Sequence, residues 1–316
     1  MDPVVVVGGG ISGIACARAV SAAGLPVVVL DRGRRLGGRM AVRTVEGRAV
    51  DTGASYFTVG DERFEQVVRD WETRGLARPW TDTFSVLDDG SWAEPKTGSV
   101  RWAAPAGLRG LVEDLADGLD VEQVAVDGVT AEGGRLHVDG RPSSVVVLAM
   151  PDPQARRLLD PASASRAELD DDFAPTLALL AGWDERCWDL DGAFVNGDRA
   201  LTWVADDGRR RGDGAPVLVA HSTADLARDH LDDPQAAGPA MLDALTRLLQ
   251  LPAAPRWTHV HRWSFAHPAS TRSRTHHLGD DGIGLCGDAW SERPRVEAAY
   301  LSGLELGEAV VARLGA

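Results

Sequence analysis

Val4-Val5-Val6-Val7-Gly8-Gly9-Gly10-Ile11-Ser12-Gly13-Ile14-Ala15 is the stretch that decides the fold. Four consecutive β-branched residues describe a strand buried on both faces, where no polar alternation is expected. Gly8, Gly10 and Gly13 then form a G-x-G-x-x-G pattern. The first glycine allows a sharp turn, the second lets a pyrophosphate reach the backbone, and the third lets helix and strand pack closely. Residues 14–23 are rich in alanine and reach Gly24, a helix C-cap. Val27-Val28-Val29-Leu30 reads as a second buried strand. Asp31 ends it about 20 residues beyond the glycines, where an acid accepts the hydroxyls of an adenosine ribose. Strand, glycines, helix, strand and terminal acid in this order predict a dinucleotide-binding α/β fold, against the alternative of a glycine-rich turn in an ordinary α/β protein.

Downstream lie Arg34-Arg35-Leu36-Gly37-Gly38-Arg39-Met40 and Val50-Asp51-Thr52-Gly53-Ala54-Ser55-Tyr56-Phe57. Paired glycines expose backbone donors and one fixed cation offsets phosphate charge. With these two signatures the sequence resembles the FAD-binding amine oxidase superfamily. The resemblance implies that Gly38, Arg39 and Met40 serve the pyrophosphate or ribityl side of FAD. It also implies that the turn of Gly53, Ala54, Ser55 and Tyr56 lies near the isoalloxazine. Near the C-terminus, Ile283-Gly284-Leu285-Cys286-Gly287-Asp288-Ala289-Trp290 reads as a buried strand ending in Gly-Asp, followed by a long apolar-faced helix over 296–314. By the same resemblance Gly287 and Asp288 bind the ribityl or pyrophosphate region. The helix start at Val296 and Glu297 points its positive end at the flavin, where helix N–H groups would stabilise charge on the reduced ring. Val124 is the nearest match to a valine whose backbone faces the adenine. Gly8, Gly10, Ile11, Ser12, Gly13, Asp31 and Arg32 complete the expected FAD set.

The implied fold class is α/β: a Rossmann-like FAD-binding domain of the amine oxidase or p-hydroxybenzoate hydroxylase type, with an inserted mixed α/β substrate domain. Expected boundaries are 1–78, 103–165 and 263–316 for the FAD domain and 79–102 and 166–262 for the substrate domain. A helix is predicted over 61–75, a hairpin over 80–92 around Asp88-Asp89-Gly90, and a helix over 108–115. Strands over 121–126, 136–138 and 145–149 read as a small antiparallel meander. Residues 206–214 read as a charged loop whose Arg209-Arg210-Arg211 run is solvated or, alternatively, an anion site.

Composition narrows the function classes. The chain has 316 residues, an apolar fraction of 44% and a net charge of −14. That balance disfavours a nucleic-acid partner and suits a self-repelling monomer or small homo-oligomer. No signal peptide or membrane-spanning run is read, and three cysteines (Cys16, Cys187, Cys286) without metal spacing suit a reducing cytoplasm. His276-His277 lacks a ligand-spaced partner, so no metal is expected.

The segments 51–58, 262–268 and 285–290 together resemble bacterial renalases and their relatives. These are oxidases with FAD that oxidise 2- or 6-dihydronicotinamide dinucleotides to NAD(P)+, passing the electrons to molecular oxygen as hydrogen peroxide. The expected FAD is non-covalent, as no cysteine lies in an attachment motif. Such hydride transfer needs no obligatory protein acid or base; the site stacks and aligns a ring. Candidate stacking or positioning residues are Tyr56, Trp203, Trp263, Trp290 and Tyr300, with Phe265 beside them, although each also suits core packing. His221 and His267 either hydrogen-bond a carboxamide or are structural, and Glu297 either serves that role or caps its helix. The sole lysine, Lys96, lies in an expected loop, which weakens a conventional monoamine or polyamine oxidase reading. Another flavin amine oxidase or desaturase of this fold, or a non-catalytic FAD-binding redox sensor, are the remaining alternatives.

Overall fold

The computed structural model describes residues 1–315. They form two compact units: 1–40, 112–173 and 268–315 make the first, 41–111 and 174–267 the second.

In the first unit, six strands are ordered His277–Leu278, Ile283–Leu285, Val145–Leu148, Val4–Val7, Val27–Asp31, Asp120–Gln123. All neighbours run parallel except His277–Leu278. The central strands are valine runs because helices and loops cover both faces, leaving no side for polar residues. Val5, Val7, Val28, Leu30, Val146, Leu148, Ile283 and Leu285 share one buried cluster. Helix Ile11–Ala22 packs against helix Val296–Leu314. Gly303 permits that approach, since a Cβ there would lie 1.9 Å from the Ser12 carbonyl oxygen.

The expected meander is corrected. Asp120–Gln123 and Val145–Leu148 are parallel members of the main sheet. The antiparallel meander is Val129–Glu132, Arg135–Val138 and Arg141–Ser143, each turn carrying a glycine. Fully apolar Val145–Leu148 suits the doubly covered sheet, whereas the half-polar meander strands have one open face.

In the second unit, seven strands are ordered Trp257–Pro268, Phe173–Gly182, Val217–Ser222, Leu201–Asp206, Gly192–Asn196, Arg78–Asp88, Ser91–Ala103. The last two form the expected hairpin, with Asp89 and Gly90 both at positive φ as a two-residue turn requires. Lys96 therefore sits on a strand rather than in a loop. One sheet face packs Leu177, Leu179, Leu218 and Ala220 against Met241, Leu245 and Leu248 of helix Gly238–Leu249. The opposite face carries Ala178, Leu180 and Val219, covered by Val50 of the ribbon Val42–Val45/Arg48–Asp51. That burial places residues from 41 onward in this unit, whereas the expected boundary was 78/79.

The Arg209–Arg211 run is also corrected. It lies in a short helix, Asp207–Arg211, capped by the Asp206 side chain and ended by Gly212 at φ +85°. Arg210 and Arg211 are buried.

Candidate active site

The glycine fingerprint is built as a cradle. Gly13 must lack a side chain because its Cβ would lie 2.0 Å from the Gly8 carbonyl oxygen, and a Cβ on Gly8 would lie 2.5 Å from the Ala149 carbonyl oxygen. Gly10 differs: nothing lies within 4 Å of where its Cβ would be. It is the N-cap of helix Ile11–Ala22, which has no side-chain cap and no acid in its first turn. Ile11, Ser12 and Gly13 thus present the first backbone N–H groups of the helix beside open space, a donor set suited to a pyrophosphate. Asp31 ends its strand with Oδ2 accepting from Gly9 N–H at 2.5 Å and Oδ1 from Gly33 N–H at 2.6 Å. Each oxygen keeps a lone pair for a ribose hydroxyl.

Gly38 packs on this loop, its Cβ position 3.3 Å from Gly10 Cα. Arg39 and Asp288, 249 residues apart in sequence, meet in a two-pronged ion pair, with Arg39 Nη1 donating to Asp288 Oδ2 at 2.9 Å. Gly287 beside it has an open Cβ position and donates its N–H to Ser302 Oγ at 2.9 Å. Val296 opens the last helix, and Glu297, wholly buried, pairs with Arg295 Nη2 at 2.5 Å. Open glycine backbone, free helix donors, a half-buried acid and a fixed cation fit FAD by their chemistry. Met40 is buried and Arg32 is exposed. Val124 N–H is taken by the Asp31 carbonyl at 2.9 Å. Trp290 is a core residue, its ring 4.4 Å from the Arg272 guanidinium and stacked on His277. These neighbours occupy the faces that substrate stacking would need. Tyr300 is buried on the last helix. Burial pushes the Cys286 thiol up to about 12 and Cys16 well up too, so neither offers a thiolate at neutral pH.

In the second unit, the turn Asp51 to Tyr56 is held from several sides. Trp263 Nε1 donates to the Thr52 carbonyl at 2.7 Å, and Trp203 Nε1 donates to Ser55 Oγ at 3.0 Å. Arg210 Nη1 donates to the Ser55 carbonyl at 2.9 Å, and Arg211 Nη2 to Asp51 Oδ2 at 2.9 Å. Asp207 pairs with both arginines and accepts from Arg48 at 2.8 Å. Burial opposes its charge, but Arg210, Arg211 and Arg48 outweigh that and hold the carboxyl below its ordinary value. Gly53 and Ala54 stay half-buried between these anchors.

Tyr56, Trp80, Phe84, Phe194 and Trp203 form one aromatic cluster, with ring centroids of Trp203 4.8 Å from Phe84, 5.1 Å from Phe194 and 5.8 Å from Tyr56. Gly192 makes room for the Trp203 ring, 2.7 Å from where its Cβ would stand. His221 pairs across the sheet with Trp203, and Ala178 follows it on the next strand. Its Nε2 is buried without a partner, and burial, reinforced by His267 and Arg210, lowers its pKa to about 3. Tyr56, Trp203 and His221 are therefore brought together, while Trp263 stands edge-on to His261.

A neutral buried histidine makes stability depend on pH. Its folded pKa lies below the unfolded 6.5, so its contribution is complete above pH 6.5 and is lost as pH falls toward 3. Between those limits each such group costs up to about 1.4 kcal/mol per pH unit. His221→Asn should reduce the fall in urea stability between pH 7 and 5 by one histidine's share, leaving those of His261, itself lowered to about 4, and of His259, His276 and His277, which burial also lowers. An unchanged slope in that variant would show His221 to be protonated already or exposed.

A six-stranded Rossmann-like sheet with this cradle is the architecture of a dinucleotide-binding domain. Comparison with known families agrees: residues 6–71 match the NAD(P)-binding Rossmann-like domain and residues 82–311 match the flavin-containing amine oxidoreductase model. The chain belongs to the flavin-containing amine oxidoreductase family, and is an FAD-dependent oxidoreductase. Polyamine oxidase 5 of Oryza sativa subsp. japonica is 51% identical over 53 residues, which are 17% of this chain and 11% of that protein. Among solved structures, a provisionally named protoporphyrinogen oxidase from Exiguobacterium sp. 255-15 is 17% identical, with TM-score 0.79 over 99% of both chains. Cyclohexylamine oxidase from Brevibacterium oxydans is 15% identical, with TM-score 0.78 over 100% of both. A putrescine oxidase with redesigned cofactor binding is 16% identical, with TM-score 0.77 over 98% of this chain and 99% of that one. These likenesses show the fold.

Among the described residues no group of acids, histidines and cysteines could hold a metal ion, and no helix is long and apolar enough to cross a membrane.

Proposed function

We propose that this protein is a renalase-like oxidase. It takes hydride from 2- or 6-dihydro isomers of NAD(P), and together with molecular oxygen and a proton the reaction yields NAD(P)+ and hydrogen peroxide. We read the first compact unit as the FAD domain and the second as the substrate domain. The supporting observation is the pairing of Trp203 with His221. A flat indole stands beside a neutral imidazole whose Nε2 has no partner, on an aromatic face. Trp203 and Tyr56 would stack a dihydropyridine ring, and His221 Nε2 would meet its carboxamide. Because imidazole there stays neutral, it positions the ring and moves no proton. The product becomes an aromatic pyridinium by losing hydride alone, so no residue is required as acid or base. Bound FAD supplies the two-electron acceptor. The Ile11–Gly13 N–H groups, Asp31 and the Arg39–Asp288 pair would hold it non-covalently.

A second reading, oxidation of an amine, draws on the names of the solved relatives, which include putrescine and cyclohexylamine oxidases. One experiment separates them. The flavin-loaded protein is mixed anaerobically with aged NADH containing the 2- and 6-dihydro isomers, with pure 4-dihydro NADH, and with putrescine or cyclohexylamine. Rapid bleaching by the aged sample alone, with peroxide on admitting air, is the expected result. Bleaching by the amines alone would replace the first reading with the second.

A further inference from the structure

Three arginines are buried among the described residues: Arg101, Arg210 and Arg211. Arg210 and Arg211 share Asp51 and Asp207. Arg101 is 7% exposed and has no carboxylate partner among the described residues. Its guanidinium lies 4.6 Å from the centre of the Phe84 ring, and Nη1 donates to the Asp82 backbone carbonyl. A buried charge without a counter-ion is strongly unfavourable, so such a residue points to a partner the chain does not itself supply.

The groups around it are donors as well. Trp80 Nε1–H is buried without an acceptor, and the Trp80 ring lies 5.1 Å from Phe84 and 6.4 Å from Tyr56. The Tyr56 ring is 5.1 Å from Phe84. Burial raises its phenol above the ordinary value, against the pull of Arg101, so Tyr56 carries its proton at neutral pH and can donate it. Lys96, opposite Phe84 in the strand pairing, lies 5.5 Å from the centre of the Phe194 ring and likewise has no carboxylate partner among the described residues. Lys96 is exposed to solvent, so the cluster itself offers one buried unpaired cation and two neutral donors. An ammonium would be repelled by Arg101 and would leave the donors unsatisfied. An oxyanion supplies the charge that Arg101 lacks and acceptors for the neutral donors, and the planar guanidinium fork matches carboxylate and phosphate oxygens in pairs.

We propose that Arg101, with Trp80 Nε1–H and Tyr56 Oη–H, forms an oxyanion subsite that holds the carboxylate or phosphate of an aromatic substrate whose ring lies on the Tyr56–Trp203 face. This deepens the proposed function and rests on that face being the substrate's. A dihydronicotinamide dinucleotide would supply a phosphate, and an aryl or heteroaryl acid a carboxylate. The subsite selects against cationic amines.

The test is calorimetric titration of the flavin-loaded enzyme with benzoate, phenyl phosphate, benzamide and benzylamine, four probes that share one ring and differ in charge. Benzoate or phenyl phosphate should bind at least 10-fold tighter than benzamide, with benzylamine weakest. The tighter of the two oxyanions identifies the group the subsite was built for. Arg101→Met keeps a polarisable chain over Phe84 and should bring oxyanion affinity down to the benzamide level while leaving benzamide unchanged. Arg101→Lys should retain part of the preference, and serves if the methionine variant fails to fold. Trp80→Phe should weaken the preferred oxyanion several-fold. Equal affinities in the wild type, or a preference that survives Arg101→Met, would overturn the subsite. Flavin bleaching by dihydronicotinamide isomers is read separately on the same wild-type protein. An enzyme that bleaches but shows no oxyanion preference loses only the subsite, and one with the preference but no bleaching loses only the renalase reading.

Discussion

Gly10→Val should leave the protein folded and unable to hold FAD. The Gly10 backbone sits at φ −80°, ψ 174°, ordinary extended geometry for any residue, and no protein atom lies within 4 Å of the missing Cβ. The fold therefore tolerates the new side chain, and only a pyrophosphate approaching the Ile11–Gly13 N–H groups would meet it. Affinity for FAD should fall by about two orders of magnitude or more, because backbone donors and helix field are lost together when the ligand is pushed back. Gly13→Ala makes the contrast. Its Cβ would lie 2.0 Å from the Gly8 carbonyl oxygen, so the damage falls on stability whether or not flavin is present. Circular dichroism and flavin absorbance after purification distinguish the two. A Gly10→Val protein that keeps its flavin would mean that the cofactor does not lie against this turn.

Arg210→Met should be the most destabilising single change in the second unit. It leaves the buried Asp51 and Asp207 short of a cation and removes the donor to the Ser55 carbonyl. Breaking a buried ion pair from one side typically costs about 3–5 kcal/mol, since the remaining charge has neither water nor partner. Arg210→Lys should recover only part, as a single ammonium cannot span the carbonyl and the carboxylates in the way the planar fork does. The neighbouring Arg209 supplies the control. Its partner Asp189 is 89% exposed, and Arg209→Met should change stability by less than about 1 kcal/mol. Denaturant midpoints of the three variants decide the matter. Equal losses at positions 209 and 210 would show that the interior placement of Arg210 is mistaken.

That contrast also marks what could be read from the amino-acid order alone. Motifs whose meaning is local were legible. The valine run, the glycine spacing and Asp31 describe contacts within one strand–turn–helix unit, and the structure assembles them so. Asp88-Asp89-Gly90 specified its hairpin because positive φ at two successive positions is a local demand. The pairing of Arg39 with Asp288 was partly legible, since both belong to recognisable signatures, although their direct contact was not. What failed was long-range. Three consecutive arginines beside acids look solvated, and only the return of the chain to Asp51 and Ser55 explains why two of them are interior. A local signal existed: Asp206 and Gly212 stand at the cap positions of a short helix. Short strands separated by glycines look alike in a parallel sheet and in a hairpin, so the residue order alone does not separate Asp120–Gln123 and Val145–Leu148 from the true meander. Trp290 was legible as aromatic and near a signature, yet its cationic neighbours Arg272 and Arg274 are placed only by the fold.

The sheet of the first unit puts Val145–Leu148 and Ile283–Leu285 beside one another, with Val4–Val7 next to the former. During synthesis the opening strand leaves the ribosome well before either of them. Its hydrogen-bonding edge toward Val145–Leu148 stays unpaired while more than a hundred residues are added, and helix Ile11–Ala22 waits for the last segment to cover it. The sheet therefore closes only through pairings between segments far apart in the sequence, and such non-local contacts slow folding because a long loop must be ordered before they form.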